Sequence, residues 1–129
     1  MDKQDLVEAA RSAAEGSYSP YSGFRVGAVV VGSQGEVFTA GNVENAAYPS
    51  GSCAEANAIG AAVSHGVRDI ETVAVACIDA TDTDGAYPCG KCRQIMSEFD
   101  VDRVIVTAAE GSEVRRHSLD ELLPHRFNL

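Results

Sequence analysis

The chain has 129 residues, with 45% hydrophobic and 22% charged, a length and composition that suit an ordinary globular domain with its own core. No stretch approaches the roughly 20 apolar residues that a membrane-spanning helix needs. A formal net charge of -9 opposes binding to a phosphate backbone and favours a small, weakly charged or neutral ligand, and the Arg115-Arg116 pair is too small a basic patch to change that.

The N-terminal segment MDKQDLVEAARSAAEG is polar and amphipathic, without an apolar secretion core, so a cytoplasmic location is expected. Thiols stay reduced there, and the four cysteines then point to metal binding or catalysis before disulfides. No repeat, low-complexity tract or long linker divides residues 1–129, which read as a single domain.

Residues 3–15 place Leu6, Ala9, Ala10, Ala13 and Ala14 on one helical face. SYSPYSGF breaks that helix through Pro20 and Gly23. RVGAVVV (25–31) and EVFTAGN (36–42) read as strands, with GSQG turning between them as a hairpin. Cys53 to His65 reads as a helix that Gly66 stops. ETVAVACI (71–78) is a continuous apolar run, typical of a strand buried on both faces. ATDTDGAY is a loop, Cys89 to Phe99 a short helix, and DRVIVTA (102–108) another strand. Ser118 caps a last helix that runs to Leu123. Two strands followed by alternating helices and strands predict an α/β fold, a mixed sheet with helices on both faces.

Two short stretches carry the chemistry. In YPCGKCRQ, Cys89 and Cys92 have the C-x-x-C spacing that lets one turn present two thiolates to one metal, or alternatively form a redox pair. In SGSCAEANAIG, Cys53 opens a predicted helix, as Cys89 opens another. Helix N-termini favour the thiolate, because their unpaired N–H groups and dipoles stabilise the anion. Three thiolates on zinc leave one tetrahedral position for water, whose pKa the metal lowers toward neutrality. Glu55, two residues beyond Cys53, is near enough to take that water's proton without being a ligand. A redox pair leaves the Cys53-x-Glu55 spacing without a purpose. Cys77 lies in an apolar run and reads as a buried small hydrophobe rather than a ligand. His65, His117 and His125 lack ligand spacing to the cysteines and read as helix-end or surface residues.

Cys-x-Glu followed by Pro-Cys-x-x-Cys is the all-cysteine form of a zinc deaminase signature. YSPYSGFRVGAVV, NVENAAY, CAE, PCGKCRQ and LLPHRF together span residues 18 to 127, and in that order the chain resembles the small cytidine deaminases. The resemblance implies a three-layer α/β/α fold around a mixed five-stranded sheet, one Zn2+ per subunit on Cys53, Cys89 and Cys92, and Glu55 as proton shuttle. It implies that Phe24 packs near the base, that Asn42 and Glu44 bind the ribose hydroxyls, and that the Ala54 backbone contacts the pyrimidine. Tyr48 and Phe127 would come from a neighbouring subunit of a homotetramer. The implied reaction converts cytidine and deoxycytidine to uridine and deoxyuridine with release of ammonia, as in pyrimidine salvage. No nucleic-acid or membrane partner is implied. Read from the residues alone, Phe24, Tyr48 and Phe127 also suit plain packing, and NVEN a polar turn.

Two other functions stay open: a deaminase of a modified cytosine nucleoside or a blasticidin-S-like antibiotic, and a non-catalytic zinc protein. Asn42 and Glu44 weigh against the antibiotic, and Glu55 against the non-catalytic protein. The chain departs from the family at Ala56, where many relatives have an arginine that offsets the thiolate charge, and at Pro49–Gly51. Compensation then falls to the helix N-termini, with Arg93 as the candidate cation.

Overall fold

Asp2 starts the first helix. Its carboxylate accepts from the Asp5 amide at 2.9 Å and the Asp5 carboxylate accepts from the Asp2 amide at 3.3 Å, so two otherwise unpaired donors are satisfied. The computed structural model describes residues 1–127 and 129. Its helices are α1 (Lys3–Ala14), α2 (Ala54–Ser64), α3 (Gly90–Glu98) and α4 (Leu119–Leu122). Its strands are β1 (Val26–Gly32), β2 (Val37–Gly41), β3 (Ile70–Cys77), β4 (Arg103–Thr107) and β5 (Arg115–Ser118).

The strands form one mixed sheet in the order β2-β1-β3-β4-β5. Only β3 and β4 run parallel, and α3 lies in the connection between them. The alternation of side chains builds two cores from the same strands. Val29, Ala74, Ala76 and Ile105 face Leu6, Val7 and Ala10 of α1. Ala28, Val30, Val73, Val75, Val104 and Val106 face the other way, with Ala54, Ala58 and Ile59 of α2, Met96 of α3 and Leu119 of α4. The three-layer α/β/α arrangement follows directly, because β1, β3 and β4 have no wet face.

The first four strands lie where the sequence puts them, each within a residue or two. Strand β5 is not legible in the sequence: its four residues, RRHS, are polar and alternate between half-buried and exposed. They pair with β4 from Arg103↔Ser118 to Val106↔Arg115 and form the sheet edge, where charge is tolerated. Ser118 does cap α4, in a reciprocal capping box with Glu121.

Helix α1 sits unusually low on the sheet. A Cβ added to Gly27 would lie 2.0 Å from the Ala10 carbonyl oxygen and 2.4 Å from the Ala14 amide nitrogen. Backbone atoms of a packed helix cannot step aside cheaply. Gly27→Ala is expected to cost about 3 kcal/mol or more of stability, above the usual range for overpacking by one methyl. Urea unfolding checks this, and a loss below about 1 kcal/mol would contradict the close approach.

Candidate active site

Two helices begin at the same place. Cys53 is the N-cap of α2 and Cys89 the N-cap of α3, and neither side chain makes a capping hydrogen bond. Cys92 follows in the first turn of α3 and is buried. The Cys53 and Cys89 sulfurs are 3.9 Å apart, and all three sulfurs lie within 4.8 Å of one another. A tetrahedral zinc with Zn–S bonds of about 2.3 Å holds its sulfurs about 3.8 Å apart, so the group fits the metal. A hydrogen bond from Cys92 brings the Cys53 thiol down to about 6, with help from Cys89 and from the charge of Lys91 and against the effect of burial. Cys92 is pushed the other way by its bond to Cys53, by burial and by the negative charges around it.

Glu55 lies in the first turn of α2 with only 4% of its surface exposed. Burial pushes its carboxyl up to about 7, and the charge of Cys53 adds to the effect. Its helix is held in place by Asn57, whose Nδ2 donates to the Gly41 carbonyl at 2.9 Å. Arg93 donates through Nε to the Pro88 carbonyl and through a terminal nitrogen to the Leu122 carbonyl, each at 2.8 Å. It braces the residue before Cys89 against α4. Two of its nitrogens are therefore committed to carbonyls, and the partner expected from the sequence, a thiolate, is not the one they hold.

A cavity of about 250 Å³ opens over this group. It brings together Phe24, Asn42, Cys53, Ala54, Glu55 and Cys89 of the expected residues. Asn42 is nearly buried, and its amide is already busy: Oδ1 accepts from the Val26 amide and the Ser17 hydroxyl, and Nδ2 donates to the Phe24 carbonyl. One N–H of Nδ2 is left, so Asn42 has a donor to offer. Glu44 and Tyr48 line a separate groove of about 350 Å³ with Tyr21 and Ser22. One Glu44 oxygen accepts from the Tyr21 and Ser22 amides at 2.9 and 3.0 Å, and the bonds from Ser22 and Tyr21 hold its carboxyl below the usual range. Its second oxygen is free to accept. Phe127 is 66% exposed and lines neither space; it belongs to a third cavity beside Gln94, Ser97 and Arg126.

Four further elements line the cavity without being expected there: Val26, Cys77, the Gly85–Ala86 turn and Tyr87. Cys77 is buried and outside the three-sulfur group, in line with a packing role. Tyr87 precedes the Pro-Cys pair by one residue, and that adjacency was the available signal. Its hydroxyl and His117 Nε2 are 2.8 Å apart. His117 is therefore not a helix-end or surface residue: β5 carries it to the back of the cavity wall, with its side chain only 21% exposed. His65 does end α2, and His125 lies exposed after α4 with φ 56°.

The cytidine and deoxycytidylate deaminase zinc-binding region matches residues 1–108. The cytidine deaminase of Halalkalibacterium halodurans is 39% identical over 129 residues, covering 98% of this chain and 95% of that protein. The blasticidin-S deaminase of Bacillus cereus is 34% identical over 107 residues, covering 79% of this chain and 76% of that protein. The crystal structure of cytidine deaminase from Burkholderia pseudomallei superimposes with a TM-score of 0.89 at 39% identity, covering 98% of this chain and all 100% of that one. The chain belongs to the zinc-binding cytidine and deoxycytidylate deaminase family.

A carboxyl raised by burial weakens the fold that holds it. Glu55 binds its proton more tightly in the folded than in the unfolded chain, so stability falls as pH rises from about 4.5 to about 7 and is level above that. Glu55→Gln removes this cost. The metal-free variant is expected to match the metal-free parent near pH 4 and to exceed it at pH 8 by at most about 3 kcal/mol. Denaturant unfolding under reducing conditions checks both points; an equal difference at the two pH values would show that the carboxyl is not buried uncharged.

Proposed function

We propose that residues 1–129 act as one catalytic domain that deaminates cytidine and deoxycytidine with water, giving uridine or deoxyuridine and ammonia. The observation that carries this is the meeting of a three-thiol group and a buried carboxyl, Glu55, in one cavity with Phe24 and Asn42. Cys53, Cys89 and Cys92 would hold a zinc ion, which would lower the pKa of a water beside Glu55 toward neutrality. Glu55 accepts a proton from water and delivers it to the ring nitrogen, then a second time to the departing amino group.

The remaining residues hold the nucleoside. Asn42 donates its free N–H to a ribose hydroxyl, and the free Glu44 oxygen accepts from another. The Ala54 amide is one of the first-turn donors that a helix leaves unpaired, and it faces the pyrimidine carbonyl in this reading. Phe24, 50% exposed, gives the ring an aromatic face. The ribose contacts favour cytidine over an antibiotic that lacks those hydroxyls. Pyrimidine salvage in the cytoplasm is the natural setting.

The test is a panel of cytosine, cytidine, deoxycytidine, cytidine monophosphate and blasticidin S, followed by ultraviolet absorbance and ammonia release. The two nucleosides are expected to lead. Glu55→Gln is expected to keep zinc and lose about 10²–10⁴-fold or more in turnover, because an amide cannot relay protons. A variant retaining more than about a tenth of the activity would rule out the shuttle.

We further propose a homotetramer with shared sites. Tyr48 and Phe127 are 76% and 66% exposed, and neither lines the cavity over Cys53 and Glu55. Exposed aromatics of this size suit an interface, and symmetry would repeat the contact at every site. Truncation after Pro124 is expected to weaken assembly and raise KM while leaving zinc bound. Light scattering, metal analysis and kinetics check it; a truncated tetramer with unchanged KM would refute sharing through Phe127.

A further inference from the structure

Phe24 and Val26 both line the cavity, and the residue between them does not. Arg25 instead turns to Asp79. Its Nε donates to Asp79 Oδ2 at 2.9 Å and a terminal nitrogen to Oδ1 at 3.0 Å, the two-pronged geometry that gives such pairs direction as well as attraction. The same carboxylate accepts the Arg25 backbone N–H at 2.8 Å, and the Arg25 carbonyl accepts from the Ile78 amide at 3.1 Å. The regular ladder between β1 and β3 ends at Val26↔Cys77. Arg25 and Asp79 therefore carry the pairing past its end through side chains. A third contact runs from Arg25 to Glu15, at the end of α1, at 3.1 Å.

An ion pair at this exposure ordinarily contributes little, since Arg25 and Asp79 keep 42% and 26% of their side-chain surface. What distinguishes this one is the main chain it holds. Removing the carboxylate frees the Arg25 amide, directly beside Phe24. Upstream, the Phe24 amide donates to Ser22 Oγ and its carbonyl accepts from Asn42. The downstream side is held by Asp79. From Asp79 the chain runs on through Ala80 to further lining residues, Gly85, Ala86 and Tyr87. The pair thus joins two lining segments, Phe24 with Val26 and Cys77 with residues 85–87.

We propose that Arg25 and Asp79 form a positioning pair that sets the wall carrying Phe24 against the wall of residues 85–87, so that the aromatic face is in place before the base arrives. This rests on the cytidine deaminase reading. Neither residue touches substrate. Their loss takes away binding shared by ground and transition states, which raises KM and spares kcat.

Arg25→Met and Asp79→Asn are each expected to raise KM for cytidine about tenfold, with kcat within about twofold and full zinc content. The double variant is expected to be no worse than either single one, because the two residues act as a unit. Arg25→Lys, which keeps the charge but not the fork, should fall between and serves if the others fold poorly. Amide hydrogen exchange at Arg25 should quicken in Asp79→Ala, which removes the acceptor of that amide, and this readout needs no substrate. A lowered melting temperature with unchanged KM would reduce the pair to a structural tie and overturn the proposal. So would unchanged exchange at Arg25. A parent protein that binds zinc but does not turn over cytidine would instead overturn the substrate reading, and exchange alone would then decide the clamp.

Discussion

Everything at the site depends on two helices starting within reach of one another. Helix starts carry unpaired N–H groups and partial positive charge, and here they receive three sulfurs and a carboxylate within one small volume. Without a cation that gathering is unfavourable, because like charges repel strongly away from water. Zinc relieves the repulsion, and three thiolates still leave the group net negative. Ala56 adds no cation next to Glu55, and Arg93 donates to the Pro88 and Leu122 carbonyls rather than to a thiolate. Lys91 and the helix starts share the remaining compensation. Metal affinity and stability are linked on this account, since the same contacts serve both.

The sheet makes the convergence possible. Parallel pairing of β3 with β4 requires a crossover, and α3 lies in it after the loop of residues 78–89. Asn57 ties α2 to the end of β2. Ligand sites at the carboxyl ends of parallel strands are common in α/β folds for this reason. Asn42 then fixes the wall that carries Phe24: it holds Phe24, Val26 and Ser17 with three hydrogen bonds and has one N–H left over. The substrate meets a polar group already fixed by the protein, which limits what binding must order.

Most of the catalytic group was legible because its signals are local. Cys-x-Glu and Cys-x-x-Cys are spacings along one or two helical turns, and the helices that carry them begin within a residue of the expected positions. Ser118 at the start of α4 was legible for the same reason. What the sequence hid is non-local. Strand β5 is polar and short, and only pairing with β4 makes it a strand. The contact between Tyr87 and His117 spans thirty residues, and that between Arg25 and Asp79 spans fifty-four. No periodicity announces such contacts. The division between the cavity of Phe24 and Asn42 and the groove of Glu44 and Tyr48 is likewise a product of how the 17–24 and 42–52 segments cross.

The chemistry depends on a metal held by three sulfurs from two helix starts, with one position left for a reacting water. X-ray absorption at the zinc edge, on the purified protein with zinc bound, measures this directly. Three sulfur neighbours at about 2.3 Å and one light neighbour, oxygen or nitrogen, at about 2.0–2.2 Å are expected. Four sulfurs would contradict it, because they would bring in Cys77 or a second chain and close the position on which the chemistry depends.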